Sequence, residues 1–189
     1  IFSRRLGSSL GVNLLPSKGK LCNFDCVYCE CGWNKDGKGD GKFPSFTEIE
    51  KALQEKMSSL AAEGVNVDSI TFSGNGEPTI HPDFAKVIDV TLRLRDEFFP
   101  KARVSVLSNA TMIGREEIAE ALMRIDNPIL KIDASSDELI RMINKPTGPY
   151  RLAEVVENLR RFEGRFVLQT MFLRSPEFDT ASAEALNAW

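Results

Sequence analysis

Compact apolar runs alternate along the chain with longer stretches in which apolar residues return every three or four positions. The runs Leu10–Leu15, Ser69–Ser73, Arg103–Leu107, Ile129–Asp133 and Phe166–Phe172 are predicted strands. The last four read as strands buried on both faces of a parallel sheet. Between them, Phe46–Glu63, Pro82–Phe98, Arg115–Arg124 and Tyr150–Phe162 carry the helical period. In the first of these, Ile49, Leu53, Met57 and Leu60 share one face. Thr47 or Ser45 is placed to cap its start and Gly64 to close it. This strand–helix rhythm predicts α/β architecture with right-handed crossovers. There is no repeat and no domain boundary, so residues 1–189 read as one domain. After the fifth strand, Asp179–Trp189 opens a further helical pattern and stops. A barrel wants at least a sixth strand, so a core incomplete at its C-terminal end is expected.

Composition narrows the classes. The content of hydrophobic residues, 42%, with mixed charges is that of a globular chain. No apolar run approaches the ~20 residues that span a bilayer, and the opening residues lack the apolar core of a secretory signal. A net charge of −3 offers no electrostatic support for nucleic-acid binding. The four cysteines, Cys22, Cys26, Cys29 and Cys31, lie within ten residues. A disulfide framework scatters its cysteines, so this clustering predicts a metal site in a reducing compartment, the cytoplasm.

The spacing Cys22-x3-Cys26-x2-Cys29 puts three thiolates on one short loop, suited to three corners of an iron–sulfur cubane with the fourth iron open. A zinc site takes four ligands, normally from two separated knuckles; Cys31 can supply a fourth, but the second knuckle is missing. The glycine-rich run Asp36–Lys42 matches a phosphate loop only in composition, because Phe43 stands where the hydroxyl residue is required.

With an aromatic residue, Tyr28, just before the last cysteine, this loop resembles the signature of the radical S-adenosylmethionine (SAM) superfamily. The resemblance implies a partial (β/α) barrel with its site at the C-terminal strand ends. It also implies a 4Fe–4S cluster on Cys22, Cys26 and Cys29, SAM chelating the open iron, and Tyr28 near the adenine. Such an enzyme passes one electron to the sulfonium, releasing methionine and a 5′-deoxyadenosyl radical that removes hydrogen from a substrate. It draws on a reducing electron donor such as a flavodoxin or ferredoxin. Ser73-Gly-Asn-Gly-Glu-Pro78 resembles the superfamily's Gly-Gly-Glu-Pro element, which binds the SAM amino group, with Asn75 in place of the first glycine. Gly74, Asn75, Gly76 and Glu77 are therefore candidates. Leu107–Thr111 resembles the Thr-Asn-Gly that lines the SAM pocket, making Ser108 and Asn109 candidates beside a plain turn signal. Arg141–Pro146, Ser3–Gly7 and Gln169–Phe172 resemble elements of a group of cytoplasmic Fe–S oxidoreductases that includes wyosine-synthase-like proteins, with Lys145 replacing an arginine.

Asp133 within an apolar run needs a partner, either a ribose hydroxyl or a salt bridge to Lys131 or an arginine. Alternation places Ser135 on the same face, and Gln169 in the fifth strand poses the same question. Cys31 has no ligand role in the resemblance, His81 is expected at a surface capping position, and Arg4 and Arg5 in a solvated arm. The substrate is not legible. Wyosine-type tRNA modification is the specific alternative, although it uses further upstream cysteines; a zinc or electron-transfer module is the non-catalytic one.

Overall fold

A computed structural model describes residues 2–3, 6–34 and 42–189. Arg4, Arg5 and most of the Asp36–Lys42 run lie outside the described residues.

The strands are β1 (Phe2–Ser3), β2 (Gly7–Val12), β3 (Ser69–Phe72), β4 (Arg103–Ser108), β5 (Asn127–Lys131) and β6 (Val167–Gln169). The helices are α1 (Phe46–Ala62), α2 (Phe84–Phe98), α3 (Glu116–Arg124), α4 (Asp137–Ile143), α5 (Leu152–Arg160) and α6 (Ala183–Asn187). The sheet order is strictly sequential; β1 pairs antiparallel with β2, and β2 to β6 are parallel. A doubly wound sheet reverses its order at a switch point. Here, right-handed crossovers that always advance in one direction put the helices on one side, giving the expected α/β partial barrel. Helix α1 packs on α2, and α2 on α3.

Sequence chemistry accounts for the helix ends. Ser45 caps α1 in a reciprocal box: its hydroxyl accepts the Glu48 N–H, and the Glu48 carboxylate accepts the Ser45 N–H. Gly64, at φ +68°, closes it. Ile49, Leu53 and Met57 are buried as expected.

The strands differ from expectation in one informative way. They are not apolar on both faces. Ile70, Phe72, Val104, Val106 and Leu130 are fully buried in the core. The alternate positions carry a ladder of hydroxyls and amides. Ser9 Oγ bonds Thr71 Oγ1 at 2.8 Å, Ser69 Oγ bonds Thr71 and Ser105 at 3.1 Å, and Asn127 Nδ2 donates to Ser105 Oγ at 3.2 Å. Every buried polar group in that row therefore has a partner, as burial demands.

Three strand boundaries also move. β2 ends at Val12 rather than Leu15, because the Asn13 side chain accepts the Leu15 N–H and turns the chain out of the sheet ahead of Pro16. β5 spans Asn127–Lys131, so Asp133 lies beyond the strand. β6 is only Val167–Gln169, and Val167 and Leu168 are half-exposed rather than buried. His81 is likewise buried, not a surface cap: its Nδ1 accepts the Asp83 N–H, so Nε2 carries the proton and donates to the Pro44 carbonyl.

Candidate functional site

The cysteine loop leaves β2 and is held at three places. First, Leu21 lies against residues 75–77 as a parallel bridge; its N–H donates to Asn75 O at 3.0 Å and its carbonyl accepts the Glu77 N–H at 3.0 Å. Gly76 is required here, because an added Cβ would overlap the Leu21 carbonyl. The close backbone approach expected of this glycine is thus made to the chain's own residue before Cys22, while Gly76 also lines the cavity described below.

Second, residues 23–27 run antiparallel to residues 143–147. Asp25 N–H donates to Asn144 O at 2.9 Å, Val27 N–H to Ile143 O at 2.8 Å, and Thr147 N–H to Asn23 O at 2.9 Å. The Ile143–Pro146 segment is therefore the template on which the cysteine loop is laid. Lys145 sits at φ +45° with its ammonium 5.0 Å from the Trp33 ring centroid, a cation–π contact that needs no guanidinium.

Third, Lys20 is buried beneath the loop, donating to Asp25 Oδ1 and the Gly32 carbonyl, each at 3.1 Å. Burial alone would lower its pKa, but the Asp25 bond and the Cys29 and Cys22 sulfurs outweigh it and hold the ammonium charged. Sequence reasoning passed over this residue. Lys20→Met should cost about 1–3 kcal/mol by leaving these acceptors unpaired, and urea unfolding checks it.

Cys22, Cys26 and Cys29 all line one cavity of about 280 Å3, together with Tyr28, Gly74, Gly76, Glu77, Ser108, Asn109, Lys131 and Gln169. A larger groove, about 430 Å3, lies between β2 and α1, but Leu10, Val12, Ile49 and Leu53 make it largely aliphatic. Donors converge on the half-buried sulfurs of Cys22 and Cys26. Cys22 Sγ accepts the Phe24 N–H at 3.4 Å and the Asn109 amide at 3.6 Å, and Cys26 Sγ accepts the Asn144 amide at 3.3 Å. Burial pushes the Cys22 thiol up to about 12 and raises that of Cys26, so these sulfurs become thiolates only with a positive partner. Among the described residues, no three His, Cys, Asp or Glu side chains converge closely enough to share one metal ion. A cubane takes one thiolate at each of its separate corners, so three cysteines on one loop suit such a group. Cys31 is exposed, its thiol 3.7 Å from the Gly74 carbonyl.

Three candidates point elsewhere. The Asn75 amide reaches back to the Pro16 and Gly19 carbonyls and steadies the approach to the cysteines. Ser135 lies part-buried between β5 and α4, away from the cavity lining. Asp133 is 1% exposed, and its carboxylate accepts from the Tyr28 hydroxyl, Asn144 Nδ2 at 2.6 Å and the Met171 N–H at 2.8 Å, with Lys131 Nζ 3.6 Å away. Three hydrogen bonds and one ion pair thus engage both oxygens. Lys131 also stands 4.8 Å from the Tyr28 ring centroid.

Glu77 is buried behind the cavity wall, accepting the Asn109 N–H at 2.7 Å and both donors of Thr79. Burial raises its pKa, opposed by those donors. It joins the strand ends of β3 and β4 and thereby fixes Ser108 and Asn109 at the rim.

Comparison with known proteins places this arrangement. A radical SAM methyltransferase from Sphaerobacter thermophilus superposes with a TM-score of 0.69 at 15% identity, covering 100% of this chain and 53% of the other. Native anSMEcpe with bound AdoMet gives 0.62 at 22% identity, covering 85% and 43%. In sequence, UPF0026 protein MJ1312 of Methanocaldococcus jannaschii is 31% identical over 185 residues, 95% of this chain and 54% of that protein. The chain thus spans about half the length of such relatives. The family model of the radical SAM superfamily matches residues 17–177, from before the cysteine loop to beyond β6, and the chain belongs to that superfamily.

Proposed function

We propose that the protein holds a 4Fe–4S cluster on Cys22, Cys26 and Cys29 and uses it to cleave SAM reductively. The observation that carries this reading is the single cavity shared by three cysteines and the ends of β3, β4, β5 and β6. When bound, the cluster and SAM supply one electron to the sulfonium and a 5′-deoxyadenosyl radical that removes hydrogen from a substrate.

The chain's own residues orient and shield. Gly74 presents backbone with no side chain at the cavity wall, its Cβ position taken by the Asn13 amide. Ser108, Asn109 and Gln169 offer polar groups to SAM from neighbouring strand ends, and Lys131 offers a cation for a carboxylate. Tyr28 lines the same cavity, its hydroxyl tied to Asp133, which keeps the ring in place. Asp133 therefore acts on SAM through Tyr28 rather than through the ribose. Among the described residues no helix is long and apolar enough to cross a membrane. The free thiols suit the cytoplasm, where a flavodoxin or ferredoxin would deliver the electron.

The full-length protein, reconstituted without oxygen, should take up about four irons and four sulfides. Ala at Cys22, Cys26 or Cys29 should abolish the cluster, whereas Cys31→Ala should spare it. Given dithionite and SAM, the loaded protein should release 5′-deoxyadenosine and methionine. SAM binding with no 5′-deoxyadenosine would sink the radical reading, and S-adenosylhomocysteine in its place would indicate methyl transfer.

A further inference from the structure

Asn144 sits at the C-terminal cap of α4, 1% exposed, more than a hundred residues from the cysteines. Its backbone carbonyl accepts the Asp25 N–H, and its side-chain amide reaches Cys26 Sγ at 3.3 Å, Tyr28 Oη at 3.1 Å and Asp133 Oδ2 at 2.6 Å. All three partners lie on its nitrogen side. Its Oδ1 is buried with no hydrogen-bond partner, which costs about 1–3 kcal/mol. The amide cannot be turned over to relieve this, since Oδ1 would then face the Asp133 carboxylate. Stability alone would not select a half-satisfied amide here. The Asp133 carboxylate and the Tyr28 hydroxyl hold the donor end in place, and the third partner they aim it at is the sulfur of Cys26, one of the three cysteines of the loop.

We propose that Asn144 is a positioning residue that sets the reduction potential of the iron–sulfur cluster through its N–H···S bond to Cys26; this rests on the cluster reading above. An amide donor at a thiolate stabilises negative charge on the sulfur. Reduction adds an electron, so the reduced form gains more from the bond than the oxidised form, and the potential rises. Asp133 and the Tyr28 hydroxyl fix the direction of the amide, so the end of β5 and the helix that follows it are coupled to the electronics of the cysteine loop. The bond moves no proton and needs no further reactant.

The test is an anaerobic redox titration of the reconstituted full-length protein, followed by the electron-spin-resonance signal of the reduced cluster. In Asn144→Ala, iron and sulfide content per folded chain should stay near the parent value, while the potential falls. A tenfold drop in the reduced-to-oxidised ratio at a fixed poise corresponds to 59 mV for a one-electron couple. Asn144→Gln, which keeps an amide donor, should recover part of the shift. Because Asn144→Ala also removes a partner of Asp133, a second measurement does not depend on its folding. In parent protein carrying 15N-asparagine, the reduced cluster should show a 15N coupling, and the part due to Asn144 should vanish in Asn144→Gln while any part from Asn109 beside Cys22 stays. Clusters of unchanged potential in both variants, or no 15N coupling in the parent, would reduce Asn144 to a structural brace and overturn the proposal. Parent protein that takes up no iron at all would overturn the cluster reading beneath it, a different result from either.

Discussion

Asp133→Ala is expected to melt well below the parent before any cofactor is added. Removing this carboxylate leaves the Tyr28 hydroxyl, the Asn144 amide, the Met171 N–H and the Lys131 ammonium without their acceptor in a buried place. Breaking such a set costs ~3 kcal/mol or more, which for a chain of this size lowers the midpoint by about 6–12 °C. Thermal unfolding of the cluster-free protein reads this directly. If the midpoint is unchanged and SAM affinity alone falls, the carboxylate meets the ribose after all, and the account of its four donors is wrong.

Gly76→Val should take up little or no iron. The new Cβ would overlap the Leu21 carbonyl, and backbone cannot rotate away as a side chain can. Leu21 precedes Cys22, so the displacement passes straight into the first ligand, with a general destabilisation of ~1–3 kcal/mol. Gly11→Ala is the fitting control, because nothing lies within 4 Å of the added atom. It should reconstitute like the parent. Full iron content in Gly76→Val together with weakened SAM binding would mean that Leu21 yields and that the glycine serves the ligand instead.

These two cases mark the boundary of what the sequence makes legible. Helices α1 to α3 are readable because their apolar period and caps are local signals. Ser45 and Glu48 announce α1 before any contact is known. The cysteine spacing is local too, and ten of the thirteen residues singled out from the sequence meet at the cavity. Helix α4, which the apolar period alone does not predict, carries local signals too: Ser136 as N-cap, acidic residues in the first turn, and Ile140 and Ile143 three apart. For Asn75, Asp133 and Gly76 the sequence says only that each needs a close partner, and whether that partner is a ligand or the chain itself depends on three-dimensional placement. Lys20 is hidden for the same reason: a lysine in a loop reads as solvated until Asp25 and Gly32 close over it. The alternation Ser69-Ile-Thr-Phe72 was on view throughout. Its hydroxyls answer one another across the strands, so the run is apolar on one face only.

The ribbon between residues 23–27 and 143–147 has a consequence for the order of events during synthesis. The cysteines leave the ribosome early, yet the strand that shapes their loop follows more than a hundred residues later, and contacts of such separation form late in folding. Until the Ile143–Pro146 segment has emerged, the thiols sit on a chain that cannot present them in a fixed arrangement. On the proposed reading, iron met before then would find cysteines without a fixed arrangement, so cluster insertion should follow the closing of this ribbon.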